Sequence, residues 1–196
     1  MKFEKVSFET FAKAICDLPG MIYMADSELH RLYDNIRIPQ RSTEKSAGYD
    51  FFSPISENLY SLSLRYKTVV NYESRDLVEN PYSIDRCEVL IPTGIKAQID
   101  PGWVLTLCPR SGQGFKYGIA LANTVGIIDE DYYNNPKNEG HIMVKLTTTS
   151  TEFASFDIEE GMAFCQGIFL PYGLTDDDAE YEKNKRTGGL GSTGGV

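Results

Sequence analysis

In the stretch PRSGQGFKYGIALANTVGIIDEDYYNN (residues 109–135), residue types that handle phosphate stand upstream of residue types that can move a proton. Arg110, Ser111 and Gly112 offer a guanidinium, a hydroxyl and a position without a Cβ, where backbone N–H groups can approach an anion closely. The same Pro-Arg-Ser-Gly also reads as a surface turn. Downstream, Asn123 and Gly126 precede three carboxylates, Asp129, Glu130 and Asp131, and a pair of tyrosines. Asp129 follows Ile127 and Ile128, as if set on the end of a buried hairpin strand. A carboxylate held there is ionised at neutral pH and can take a proton from water. On spacing alone, Asp129 and Asp131 read more readily as turn residues. The chain then ends on RTGGLGSTGGV (186–196), which is rich in glycine and nearly devoid of apolar surface. Such a segment cannot fold alone, so it is either a disordered end or a piece that orders around a ligand.

The elements that must position these groups are mostly strands. EVLIPTGIKAQI (88–99), GWVLTLCP (102–109), GIALAN (118–123), HIMVKLTTTS (141–150) and MAFCQGIFLP (162–171) are strand-like runs separated by turn signals. With no helical crossovers between them, they predict an all-β sandwich, barrel or jelly roll. Phe8, Phe11, Ala12, Ile15 and Cys16 repeat at helical spacing until LPG (18–20) ends the pattern. Residues 55–86, polar and Tyr-rich with NPYS as a turn, and NNPKNEG (134–140) read as insertions rather than strands. The expected organisation is a helical extension over 1–34, a β domain over 35–185 and a mobile C-terminal lid over 186–196.

Composition removes several functional classes. A chain of 196 residues suits one domain, and a net charge of −9 argues against a broad basic face for nucleic acid. No apolar run is long enough to span a membrane, and the charged N-terminus does not read as a signal peptide. Cys16, Cys87, Cys108 and Cys165 are scattered without paired spacing. They are expected to be buried free thiols in a reducing cytoplasm rather than a disulfide or metal framework. His30 and His141 alone do not suggest a zinc site, and the solitary Trp103 reads as core.

Taken in order, AGYD (47–50), PRSG (109–112), NTVGIIDEDY (123–132), GMAFCQG (161–167) and RTGGLGSTG (186–194) resemble the five motifs of the trimeric all-β dUTPases. The resemblance runs from about residue 35 to the C-terminus. It implies a distorted jelly roll of the β-clip type, assembled as a homotrimer that uses Mg²⁺ to hydrolyse dUTP to dUMP and pyrophosphate. It implies that Asp129 is the general base activating a water for attack on the α-phosphorus. Uracil would pair with the main chain of a hairpin running from Asn123 through Gly126, Ile127 and Ile128 to Asp129 and returning near Ile142 and Met143. Cytosine would leave buried polar groups unpaired there. Tyr132 matches the ring on which the deoxyribose packs, against which a 2′-hydroxyl would clash. Arg110, Ser111 and Gly112, supplied by a neighbouring subunit, would hold the phosphates, with Gln166 as an amide donor near the α-phosphate. Asp50 matches a carboxylate linked to Mg²⁺ through water, with bracing of the subunit contact as its other reading. Arg186 would reach the γ-phosphate side, while Leu190, Gly191, Ser192 and Thr193 wrap the triphosphate.

The departures from the family pattern are specific. Ala163 stands where an Arg is usual, so its salt link is absent or is supplied by Lys145, Lys185 or another residue. Leu190 replaces a Phe that stacks on the base, and Arg186 lies one residue closer to the glycine pair than in many members. Two further readings share the fold. One is a nucleotide-responsive regulator that binds a protein partner through residues 55–86 or the N-terminal helix. The other is a dCTP deaminase, which the Asp129–Tyr132 spacing disfavours.

Overall fold

The computed structural model describes residues 1–19, 21, 23–60, 68–70, 77–79, 88–148, 155–183 and 186. Strict alternation makes the central strands. In β9 (Trp103–Pro109) Leu105 and Leu107 point into the core, and in β12 (Met143–Thr148) Val144, Leu146 and Thr148 do so. A five-stranded antiparallel sheet follows the order β11 (Gly126–Ile128), β9, β14 (Ala163–Pro171), β3 (Tyr49–Phe52) and β2 (Gln40–Arg41). A three-stranded sheet places β12 between β10 (Ile119–Leu121) and β7 (Glu88–Pro92). Phe51, Ile91, Leu105, Leu107, Ile142, Leu146 and Phe164 form the shared core between them. This is the expected all-β jelly roll.

The run at 88–99 is two strands, because Gly94 at φ +72° turns the chain between β7 and β8 (Ile95–Gln98). The N-terminal segment is not purely helical. Lys2–Lys5 forms β1, antiparallel to β8 with Lys2 opposite Gln98, before α1 (Phe8–Cys16) and α2 (Asp26–Asp34). Ser7 caps α1 by accepting from the Thr10 N–H at 3.2 Å. Phe11 and Ile15 on its apolar face, with Leu29 and Leu32 of α2, join the core. Residues 1–34 are therefore built into the β domain rather than appended to it.

Residues 55–86 are not a strandless insertion. Glu57–Tyr60 (β4) pairs with Ser155–Ile158 (β13), and Thr68–Val70 (β5) pairs with Leu77–Glu79 (β6). The polar composition hid these pairings, since short strands pair through main-chain bonds whatever their side chains. A third helix, α3 (Ser111–Tyr117), begins inside the PRSG motif, where the sequence suggested only a turn. Among the described residues no helix is long and apolar enough to cross a membrane, and Cys16, Cys108 and Cys165 are free thiols.

Candidate active site

One group of candidate residues gathers where β9 runs into α3. Asp50, Arg110, Ser111, Gly112 and Gln166 line a cavity of about 440 Å³. Asp50 is buried on β3, accepts a hydrogen bond from the Ser42 hydroxyl and pairs with Arg110 Nε at 3.2 Å. Gln166 lies opposite both Asp50 and Cys108 in the sheet, and its Nε2 donates to the Pro109 carbonyl at 3.3 Å. A β-bulge between Ala163 and Cys165 sets that register. Gly48 explains part of the first motif, because a Cβ there would lie 2.6 Å from Gln166 Oε1. Ala163 contributes its carbonyl, which accepts from Arg110 Nη1 at 3.4 Å and from Gln113 Nε2 at 3.2 Å. Lys145 is paired with Glu88 at 2.5 Å, and Lys185 lies outside the described residues.

A second group surrounds the turn between β10 and β11. Asn123, Gly126, Ile127, Ile128 and Met143 line a cavity of about 470 Å³. Thr124 is held there at φ +67°, a costly conformation for a β-branched residue. β11 and β12 belong to different sheets and do not pair with each other, so β11 is an edge strand. The predicted hairpin is thus splayed: Ile127 and Met143 share a cavity across a gap, while Ile142 is fully buried in the core. Main-chain groups on the outer edge of β11 are available to a ligand, as on any sheet edge.

Ile127 also lines an adjoining cleft of about 650 Å³ with Asp129, Asp131 and Arg186. The Arg186 guanidinium pairs with Asp129 through Nη2 and with Asp131 through Nε at 2.7 Å. It also stands 5.6 Å from the centre of the Tyr132 ring. Tyr132 is buried on the single helical turn Glu130–Tyr132, and burial raises its pKa, with the Asn138 hydrogen bond and Arg186 opposing. Leu190, Gly191, Ser192 and Thr193 lie outside the described residues.

The chain does not bring the two groups together. Ile128 is opposite Leu105 on β9, which puts Asp129 beside Val104, whereas Arg110 leaves the other end of that strand. At about 3.3 Å per residue the Val104–Arg110 span is about 20 Å, several times the reach of a side chain. Among the described residues no group of three or more His, Cys, Asp or Glu could hold a metal. Ser42, Gln113 and Asn138 were not legible as site residues. Gln113 is buried, and its Oε1 has no hydrogen-bond partner among the described residues. Only its place one turn after Arg110, once a helix is known to start there, points to it.

The dUTPase family profile matches residues 72–194 of the chain. The deoxyuridine 5′-triphosphate nucleotidohydrolase of Lactococcus lactis is 40% identical over 159 residues, covering 81% of this chain and 89% of that protein. The enzyme of the same name from Pasteurella multocida is 33% identical over 171 residues, covering 84% and 91%. Among solved structures, the dUTPase from Streptococcus mutans superposes with a TM-score of 0.57 at 29% identity, covering 90% of this chain and 99% of that one.

Proposed function

The chain belongs to the dUTPase family and hydrolyses dUTP to dUMP and pyrophosphate, and we propose that it does so in sites shared between the subunits of a homotrimer. The observation that carries this reading is the separation of Arg110 from Asp129 by the length of β9. In this reading a second copy presents its Arg110–Gly112 end to the Asp129 end of the first, so that the two ends act on one substrate. Exposed apolar side chains near both ends fit such a contact: Phe115 on α3 is 92% exposed and Ile127 is 54% exposed.

In this reading uracil enters the gap beside β11. The free edge of that strand pairs with the base, and Tyr132 supports the deoxyribose and leaves no room for a 2′-hydroxyl. The triphosphate then lies towards the partner's phosphate-binding group, where Gln166 supplies an amide donor near the α-phosphate. As the phosphates draw Arg186 away, Asp129 becomes free to accept a proton from the attacking water. The water oxygen bonds to the α-phosphorus as the bond to the bridging oxygen breaks, and pyrophosphate leaves. Residues 186–196, with Leu190, Gly191, Ser192 and Thr193, close over the triphosphate and exclude bulk water.

The donor set suits a Mg²⁺ carried in on the substrate rather than caged by protein. Among the described residues Asp50 has no cluster of further carboxylates around it, and Mg²⁺ keeps several waters while binding mainly through phosphates. When bound, the ion would offset charge on the triphosphate, with Asp50 touching it through water. The free thiols fit a reducing cytoplasm. The test is pyrophosphate release from dUTP, dCTP, dTTP and UTP. The expected kcat/KM for dUTP exceeds each of the others by at least about 100-fold, as for sites that pair buried polar groups. Comparable turnover of UTP or dTTP would remove the pocket assignment.

A further inference from the structure

We propose that loop 134–140 and the N-terminal segment form a brace for the Asp129–Tyr132 turn, with Asn138 the positioning residue for Tyr132 and Glu139 the anchor to α1. The proposal deepens the role of Tyr132 given above and rests on it. It also assigns a task to the two parts of the chain, the N-terminal extension and the 134–140 loop, that the family motifs do not cover.

The brace can be traced bond by bond. The Tyr132 hydroxyl donates to the His141 carbonyl at 2.9 Å and accepts from Asn138 Nδ2 at 2.9 Å. The Tyr132 carbonyl accepts from Asn135 Nδ2 at 3.0 Å. Asn138 Oδ1 holds the loop on itself, accepting from Asn135 Nδ2 at 2.6 Å and from the Gly140 N–H at 3.2 Å. Two non-glycine residues of this loop, Asn134 at φ +55° and Glu139 at φ +58°, sit in the left-handed region. Such conformations persist only where surrounding contacts over-determine them.

Those contacts come from the N-terminus. The Glu139 carboxylate accepts from the Ser7 N–H at 3.1 Å, the Ser7 hydroxyl at 2.5 Å and the Thr10 hydroxyl at 2.6 Å. It also pairs with Lys96 at 3.3 Å. Lys96 in turn donates to Asn134 Oδ1 at 2.7 Å, and the Tyr133 hydroxyl donates to Glu4. Burial pushes the Glu139 pKa up, but these donors outweigh it and hold it at about 2. The gripping residues are themselves fixed, by β1 on β8 and by Phe11 and Ile15 in the core. A contiguous path therefore runs from the folded N-terminus through the loop to the ring that faces the sugar. Loosening it would let Tyr132 shift and admit a 2′-hydroxyl.

The experiment is a double-mutant cycle of Asn138→Ala and Tyr132→Phe, read as the ratio of kcat/KM for dUTP to that for UTP. Each single change should lower the ratio about three- to tenfold, the scale of one neutral hydrogen bond. The loss should lie in KM more than in kcat, and the double variant should lose no more than the worse single one. A ratio unchanged in the singles, or fully additive losses, overturns the brace. A second readout is independent of turnover: amide hydrogen exchange over 129–135 in the ligand-free chain. Glu139→Ala should speed it, and Glu139→Gln, which keeps an oxygen acceptor for the two hydroxyls, should restore part of the protection. Unaltered exchange in Glu139→Ala overturns the brace whatever the activity. A wild-type chain that does not prefer dUTP over UTP counts against the role of Tyr132, and the exchange measurement then decides the brace alone.

Discussion

In the proposed mechanism the carboxylate at position 129 is the base, and in the structure it pairs with Arg186 while staying half-exposed. The triphosphate draws Arg186 from Asp129 and Asp131 in that mechanism before chemistry begins. Asp129→Asn keeps the side-chain shape and removes the proton acceptor, so kcat should fall by about 10²–10⁴ while binding of a non-hydrolysable dUTP analogue survives. A variant with near-normal kcat places the base elsewhere. His141 governs stability rather than chemistry. It is buried, its Nε2 accepts the Gly94 N–H at 2.8 Å, and burial lowers its pKa to about 4 against the opposing charge of Glu139. The folded chain holds it neutral, whereas the unfolded chain binds a proton below pH 6.5. Its contribution is therefore complete above that pH and is lost as pH falls towards about 4. Between pH 7 and pH 5 the loss should be about 2 kcal/mol, measured by urea unfolding. His141→Gln keeps an acceptor for Gly94 without a titratable group, and should flatten the dependence.

Between residue and molecule, turns carry the site. Gly140 has φ +80°, and a Cβ there would meet the Tyr132 carbonyl oxygen at 2.5 Å, a backbone atom that cannot step aside. Gly140→Ala therefore combines a left-handed backbone with a clash, and should cost about 1–3 kcal/mol. For a chain of this size, that lowers Tm by about 3–10 °C. KM for dUTP should rise with it, because the displaced carbonyl belongs to Tyr132. Differential scanning calorimetry beside steady-state kinetics checks both, and an unchanged Tm refutes the contact. The helix α1 was legible from its apolar spacing, and the five central strand runs from their β-branched residues. The pairing of β1 with β8 was not, since KFEK is short and mostly charged and acquires its partner only across a long sequence separation. α3 was hidden by Gly112 and Gly114, which weaken any helical signal.

At the scale of the whole molecule, the two groups of candidate residues stand at opposite ends of β9, and in the proposed reading catalysis depends on how copies meet. The proposed assembly is a closed C3 trimer, in which every subunit lends its phosphate-binding end to a neighbour. Mixing Asp129→Asn chains with Arg110→Ala chains, each nearly inactive alone, should restore activity through hybrid trimers that hold one intact composite site. Light scattering should report a trimer at the same concentrations. A fully active monomer, or no recovery on mixing, sinks the shared site. The C-terminal segment belongs to the same scale. Deleting 186–196 should lower kcat at least about tenfold, equivalent to 1.4 kcal/mol in the barrier. The Tm of the ligand-free protein should stay nearly unchanged, and full turnover by the truncated chain would make the segment an ordinary end.

The family and the candidate residues were readable without coordinates, because a resemblance rests on residue type and order along the chain. Arg110-Ser111-Gly112, Asp129 and the glycine-rich end announce phosphate binding, a proton acceptor and a segment that cannot fold alone, and their order along the chain resembles one family. What the sequence could not decide was distance. That Arg110 and Asp129 stand at opposite ends of β9 follows from the antiparallel register of β9 and β11. The splay of the hairpin follows from β11 and β12 joining different sheets. The grip of Glu139 on Ser7 and Thr10 joins residues at opposite ends of the chain. Non-local contacts of this kind are set by how the sheets pack and which strands share an edge, and no window of sequence contains them.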